Sequence, residues 1–308
     1  MTQVARFARL VLAWNVAVIL WGAFVRATGS GAGCGAHWPL CNGEVVPRAP
    51  ALDTMIEFTH RATSGVALLL VFALCLWVFR ERPKGHPARR AAAASVFFIL
   101  TEAAVGAGLV LFHLVGANDS VARAVFMAGH LANTFVLLAC LTLTAHWCSS
   151  DAPLRREALS RFGWVFAAGA IVLVGVGKSG AIAALGDTLY PAQSVLGGLA
   201  QDVSPTAHFL VQLRIAHPLL ALAGALLVAF AASRVLQATA DARARSAAWA
   251  VSALALLQLG GGLLNLALLA PVWMQIVHLL LADLLWIAFV LLAVRALSTR
   301  ALEGEGLR

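Results

Sequence analysis

The chain has 308 residues, of which 61% are hydrophobic and 12% are charged. An ordinary soluble domain carries roughly 25% charged residues, so this composition argues against a soluble globular protein. The net charge is +8, but the charged residues lie between apolar runs, and membrane topology explains them better than binding to nucleic acid. Each helix that crosses a bilayer needs about 20 apolar residues. The length therefore accommodates eight membrane spans and little else.

Eight apolar stretches are long enough to cross a bilayer as helices. They cover residues 10–27, 55–79, 91–114, 124–147, 163–180, 207–232, 247–270 and 273–296. If the N-terminus is inside, most of the 22 Lys and Arg residues fall in inward-facing segments. The positive-inside rule then predicts a multi-pass protein of the cell (inner) membrane, with both termini cytoplasmic. The first span begins like a signal peptide, but the internal duplication described below predicts that it is retained.

The first outer loop, residues 28–43, is rich in glycine and contains Cys34 and Cys41. Its Gly, Pro and Trp residues favour a folded loop on the outer membrane surface over a flexible linker. Two cysteines seven residues apart on an oxidising face can form a structural disulfide or a redox pair. Both interpretations stay open, and the matching loop of the second half, residues 181–206, has no cysteine.

Four of the nine histidines lie inside predicted spans. They are His60, His130, His217 and His278, in spans two, four, six and eight. These spans all run from outside to inside, and each histidine is within about three helical turns of the outer end. One intramembrane histidine is most often a packed, hydrogen-bonded residue. Four at one depth instead indicate a binding or catalytic site, whereas the other five histidines are interpreted as loop or helix-end residues.

The two halves of the chain resemble each other. His217 follows His60 by 157 residues, and His278 follows His130 by 148. A polar residue followed by glycine four residues later also recurs, as Glu102 with Gly106 and as Gln258 with Gly262. The pattern predicts an all-α integral membrane protein in which eight transmembrane helices form two tandem four-helix bundles, residues 1–150 and 151–308. Because each half has an even number of spans, a pseudo-twofold axis along the membrane normal would relate them.

Paired histidines on facing helices suit an iron macrocycle. A neutral imidazole is a good ligand for haem iron, and two helices of a bundle can each present one ring to a planar cofactor. The predicted metal ligands are therefore His60 and His130 in one half, and His217 and His278 in the other. Zinc fits less well because a closed zinc site needs four ligands and each half offers two.

The two halves differ one helical turn before the first histidine of each pair. Arg214 precedes His217 by three residues, and Glu57 precedes His60 by three, so each shares a helix face with its histidine. Arginine suits a permanently bound haem because it can bind a propionate through two hydrogen bonds. A carboxylate repels propionates and suits proton transfer. The contrast predicts a cofactor site in the C-terminal half and a reaction site in the N-terminal half, with a simple pairing of Glu57 to Arg61 as the alternative.

Three motifs resemble the first loop and second helix of the haem A synthase family. They are VRATGSG at residues 25–31, CGAHWPLCNG at residues 34–43 and EFTHR at residues 57–61. His130, His217 and His278 fall where that family is expected to have its other histidines, and the resemblance covers essentially the whole chain. It implies an oxidoreductase that hydroxylates the C8 methyl group of haem O twice, giving a diol that loses water to leave the formyl group of haem A, which terminal oxidases use.

The resemblance also implies cofactors, partners and residue roles. His217 and His278 would ligate a resident haem b. His60 and His130 would hold the substrate haem O, with Glu57 in a catalytic role. Cys34 and Cys41 would be linked to redox state or electron supply, although the missing second cysteine pair departs from some members. Expected partners are haem O, the haem O synthase, a membrane electron donor and the lipid bilayer, and a homo-oligomer is left open.

Two other functions compete with this interpretation. A di-haem electron-transfer protein similar to cytochrome b561 would carry electrons across the bilayer, but its ligands would be expected at two depths rather than one. A transporter built from parallel repeats would use midplane histidines in a proton relay. A stable haem spectrum would exclude the transporter.

Overall fold

A computed structural model describes residues 2–150 and 152–298. Within them the chain is helical, with one isolated β-bridge between Cys41 and Glu44 and no β-strand. The helices are α1 Gln3–Ala27, α2 Leu52–Glu81, α3 Pro87–Leu111, α4 Val121–Trp147, α5 Arg156–Leu189, α6 Val195–Asp202, α7 Phe209–Gln212, α8 Ala216–Ala238, α9 Ala242–Ala267 and α10 Val272–Ser298. Short 3-10 turns cover Ser30–Ala32 and Leu213–Ile215.

Eight helical segments of the described chain are long and apolar enough to cross a membrane, with α7 and α8 counted as one. The predicted all-α integral membrane fold with eight spans is confirmed. The boundaries differ most at α1, which begins at Gln3 rather than residue 10, and at α5, which ends at Leu189 rather than residue 180. The 34 residues of α5 would extend about 51 Å, beyond the roughly 30 Å hydrocarbon core. Its ends therefore continue past the apolar stretch that predicted the span.

Each half of the chain forms a ring of four spans. In the first half α1 packs on α2, α2 on α3, α3 on α4 and α4 on α1. In the second half α5, the α7–α8 span, α9 and α10 follow the same cyclic order. This order is what two tandem four-helix bundles require. The symmetry axis and the domain division at residue 150 stay predictions.

The two rings meet along α1 and α4 of the first and α5 and α10 of the second. At this contact the Trp286 indole N–H donates to the Phe135 carbonyl at 2.6 Å. The indole also stacks on the phenyl ring of Phe135, with centroids 5.2 Å apart. At the C-terminal end of α1, the half-buried Arg26 guanidinium donates to the Ala184 carbonyl, the Thr188 hydroxyl and the Gln275 side chain at 2.6 to 2.8 Å. Aromatic packing and hydrogen bonds therefore fix one half against the other.

The sixth span is irregular just before its histidine. The 3-10 turn Leu213–Ile215 separates α7 from α8, and Pro218 follows His217 directly. Proline has no N–H to donate to the Arg214 carbonyl, so the regular α-helical hydrogen bonding is interrupted there. The interruption lies within one turn of the predicted ligand.

Candidate functional site

The four predicted histidine ligands occupy corresponding positions of their spans. Each lies six to nine residues after the first residue of its helical span, in α2, α4, α8 and α10. At 1.5 Å per residue this is about 9 to 14 Å along the helix. All four side chains are half-buried. The structure therefore places the four rings at similar distances from the first residues of their spans, and their common depth in the membrane stays a prediction.

Each of these imidazoles packs against a glycine of a neighbouring helix. A Cβ atom added to the glycine would approach the Cε1 atom of the ring at 2.9 Å for Gly22 and His60, 4.0 Å for Gly106 and His130, 2.9 Å for Gly180 and His217, and 3.2 Å for Gly262 and His278. Approaches of 2.9 Å are too short for a real Cβ, so alanine at Gly22 or Gly180 would displace the ring. Sequence reasoning singled out Gly106 and Gly262 but missed Gly22 and Gly180. Their signal was their spacing, 38 residues before His60 and 37 before His217.

The C-terminal pair has dimensions that suit one metal ion. The ring centroids of His217 and His278 are 6.3 Å apart, and the ring planes are nearly perpendicular. Two imidazoles on opposite sides of a metal, with bonds of about 2 Å, place their centroids roughly 6 Å apart. Within residues 2–150 and 152–298, no three His, Cys, Asp or Glu side chains are grouped to hold a metal by themselves. A two-histidine site thus suits a metal whose other ligands come from a macrocycle, and the residues fit haem.

Each histidine of the C-terminal pair lies beside one neutral polar side chain, and a buried carboxylate follows on α10. The Ser179 hydroxyl lies 3.1 Å from Nδ1 of His217, and the Gln258 amide nitrogen lies 3.3 Å from Nε2 of His278. Nδ1 of His278 is buried without a hydrogen-bond partner. Asp283, five residues further along α10, is fully buried and neither carboxylate oxygen has a hydrogen-bond partner.

A carboxylate lies beside the second histidine of the N-terminal pair. Oε1 of Glu102 is 3.2 Å from Nδ1 of His130. The Asn133 amide donates to Oε2 of Glu102 at 2.5 Å, and the Thr134 hydroxyl donates to Oε1. Sequence reasoning used Glu102 only as a polar position that recurs in the internal duplication. Its alignment with Gln258 in the duplication was the signal that it lies near a ligand.

Glu57 is bound to the outer loop and to Arg61. Its carboxylate is buried and accepts hydrogen bonds from the Arg61 guanidinium at 2.5 and 3.1 Å and from the Cys34 backbone N–H at 2.7 Å. Arg61 also donates to the carbonyls of His37 and Leu40 at 2.5 and 2.6 Å. The alternative pairing with Arg61 is therefore present. The catalytic role of Glu57 stays a prediction.

The outer loop is folded against the start of α2. Cys34 and Cys41 are buried and paired, with their sulfur atoms 1.97 Å apart. The Thr54 hydroxyl donates to the Gly33 carbonyl at 2.8 Å. A Cβ on Gly33 would come within 2.5 to 2.7 Å of the backbone of Asp53 and Thr54, so this close approach requires glycine. The structure agrees with the prediction of a folded loop.

Arg214 is paired with two acids that sequence reasoning did not connect to it. Its guanidinium lies 3.0 Å from Oδ1 of Asp187 on α5 and 2.8 Å from Oδ1 of Asp202 on α6, and it also donates to the Tyr190 carbonyl. The side chain is 8% exposed. Two carboxylates already compensate its charge, so a haem propionate would have to share this guanidinium. Contact with a propionate stays a prediction.

These features define a class of protein: a polytopic helical membrane protein with four intramembrane histidines, of which the C-terminal pair has a spacing that suits a macrocycle. The chain matches the family described as cytochrome oxidase assembly protein, COX15-CtaA, over residues 5–290. It therefore belongs to that family.

Individual relatives match the chain over different lengths. A Thermus thermophilus protein named protoheme IX farnesyltransferase is 52% identical over 308 residues, which cover 99% of this chain and 51% of the relative. Proteins named heme A synthase are similar over shorter parts. The one from Alkalihalophilus pseudofirmus is 43% identical over 31% of this chain and 32% of its own length. The one from Shouchella clausii is 39% identical over 42% of this chain and 41% of its own length. The chain spans about half the length of the Thermus relative.

Proposed function

We propose that this chain is a haem A synthase, an oxidoreductase that converts the C8 methyl group of haem O into the formyl group of haem A. The observation that carries the proposal is the arrangement of four histidines at corresponding positions of their spans, two in each ring of helices, each packed against a glycine. Membership of a cytochrome oxidase assembly family and the partial similarity to proteins named heme A synthase support it.

The longer Thermus relative supports a partnership with the preceding enzyme. Its name describes transfer of a farnesyl group to protohaem, and about half of its length is similar to this chain. Haem O is a protohaem that carries a farnesyl-derived tail. The haem O synthase is therefore the proposed partner that supplies the substrate within the membrane.

The C-terminal half, residues 151–308, is proposed to hold a resident haem b between His217 and His278. When bound, this haem would supply one-electron transfer. Gly180 and Gly262 leave room for the two rings, and the Ser179 hydroxyl lies beside His217. Held by two histidines, this haem would serve as an electron carrier, whereas in the N-terminal half the haem itself would be the substrate.

The N-terminal half, residues 1–150, is proposed to hold haem O between His60 and His130, with Glu57 as the catalytic acid or base. Glu57 joins the helix that carries His60 to the loop that carries Cys34. The Cys34–Cys41 pair, proposed to lie on the outer face with both termini cytoplasmic, would connect electron supply to this site. Conversion of the methyl group to a diol is a four-electron oxidation that needs an external oxidant and two oxygen atoms from dioxygen or water, and the diol then loses water to leave the formyl group.

Product analysis tests the function. The chain is expressed in a host that makes haem O but not haem A, and extracted haems are identified by chromatography and mass spectrometry. Haem A or its hydroxylated precursor is expected with the wild type and with His146→Ala at the inner end of α4, but not with His60→Ala. Haem b alone at both sites would favour electron transfer, and absence of haem would favour a transporter.

A further inference from the structure

We propose that Glu102 is a positioning residue for His130: its carboxylate contacts the ring at Nδ1, directs Nε2 toward a bound haem iron, and would make the N-terminal haem iron more electron-rich than the C-terminal one. This inference rests on the proposed function, since it requires haem between His60 and His130. It assigns a role to an intramembrane acid that the proposed chemistry does not otherwise use.

The geometry fixes the carboxylate against the ring. Oε1 of Glu102 lies 3.2 Å from Nδ1 of His130, within ion-pair distance but not aligned for a hydrogen bond. Both oxygens are held by other donors, Oε2 by the Asn133 amide and Oε1 by the Thr134 hydroxyl. The Thr101 hydroxyl in turn donates to Oδ1 of Asn133 at 2.7 Å. A carboxylate inside a membrane is costly unless it is paired, so this set of donors indicates an acid kept in one orientation.

Contact at Nδ1 leaves Nε2 of His130 as the nitrogen available to a metal. Histidines that bind metals commonly donate their other N–H to a carboxylate, which fixes the ring orientation and makes the ligand more basic. A more basic axial ligand stabilises the oxidised iron relative to the reduced iron. The N-terminal haem should therefore have the lower midpoint potential.

The C-terminal half lacks this feature where the duplication would place it. Gln258 is 156 residues after Glu102, and its neutral amide lies 3.3 Å from Nε2 of His278. His217 faces the Ser179 hydroxyl at 3.1 Å. Among these four rings, His130 alone has a carboxylate within 4 Å in the part of the chain that the structure describes. The difference would make the iron of the substrate haem the more electron-rich of the two.

Redox titration of purified full-length protein tests the inference. Wild type, E102Q, E102D and Q258L are prepared from the haem O host, and the optical signal lost in His60→Ala identifies the N-terminal haem. E102Q should raise the midpoint potential of that haem and weaken its retention about 10- to 100-fold. A tenfold change in the relative affinity for oxidised and reduced haem corresponds to about 59 mV. E102D, which keeps the charge on a shorter side chain, should lie between wild type and E102Q.

The control and the outcomes separate the two proposals. Q258L should shift only the C-terminal haem. If E102Q folds and its N-terminal haem keeps the wild-type potential, the role of Glu102 is overturned while the proposed function stands. If E102Q does not accumulate, a wild-type potential in E102D together with weaker haem retention would overturn the electronic effect. If His60→Ala loses no haem signal at all, the proposed function itself fails.

Discussion

Replacing Gly180 by alanine is expected to disturb the proposed haem b site. The new Cβ would lie 2.9 Å from Cε1 and 3.3 Å from Nδ1 of His217. Carbon atoms in contact are ordinarily about 3.5 Å apart, so the imidazole would have to move by roughly 0.6 Å. Metal–ligand distances hold to about 0.2 Å. The displaced ring therefore cannot keep its bond to the iron unless α5 and α8 also separate.

The loss of haem affinity in Gly180→Ala can be estimated from the free-energy cost of an extra methyl group in a packed site. An extra methyl group in a well-packed site typically costs about 1 to 3 kcal/mol. If the bound state bears that cost, haem affinity falls roughly 5- to 150-fold. The same shift would disturb the contact between the Ser179 hydroxyl and Nδ1 of His217, which favours the upper part of this range.

The assay is haem titration of the purified protein, with the haem-to-protein ratio as a second measurement. Gly175→Ala on the same helix is the matched control, because a Cβ there meets no atom within 4 Å, and it should bind haem like the wild type. Wild-type affinity in Gly180→Ala, or an equal loss in Gly175→Ala, would refute the packing argument.

Three further changes test other parts of the molecule. Glu57→Ala should retain the C-terminal haem but abolish haem A formation and speed hydrogen exchange in the outer loop, since it leaves the largely buried Arg61 without its carboxylate at a cost of about 3 kcal/mol; full turnover would contradict the catalytic role. Arg26→Met should lower the unfolding temperature in detergent, because each hydrogen bond from a charged group contributes about 1.5 to 3 kcal/mol, and an unchanged temperature would show that this contact does not fasten the halves. The hydrogen bond from the Tyr190 hydroxyl to Asp119 lowers the pKa of Asp119 and raises the pKa of Tyr190, so the contact should weaken as pH falls through the carboxyl pKa or rises through the phenol pKa. Tyr190 is the one tyrosine of the chain; its phenolate absorbance should therefore titrate at lower pH in Asp119→Asn, and an unchanged midpoint would deny the contact.

The arrangement of the spans was predictable from sequence because it depends mainly on the burial of apolar side chains. The need to bury apolar side chains in lipid determined the number of spans, and the positions of the histidines within their spans followed from the same apolar stretches. The ends of α1 and α5 were not predictable in this way. Arg6 and Arg9 lie within α1, because a helix continues as long as its backbone hydrogen bonds are satisfied, whether or not the residues are apolar.

Side-chain partners from distant elements could not be read from spacing along one helix. Arg214 was placed on the face of His217, but its acids come from α5 and α6. Glu102 was recognised as a position of the internal duplication, yet its contact with His130 depends on how α3 packs against α4. Glu57 and Arg61 are four residues apart on one helix, and that pairing was foreseen because it is local.

The central claim is that two separate histidine pairs hold chemically different haems. Mass spectrometry of the haems extracted from purified His60→Ala and His217→Ala tests it most directly. We expect His60→Ala to keep haem b and lose haem O and its oxidised products, and His217→Ala to lose haem b. The reverse assignment, or loss of both haems from either variant while the protein stays folded, would contradict the account.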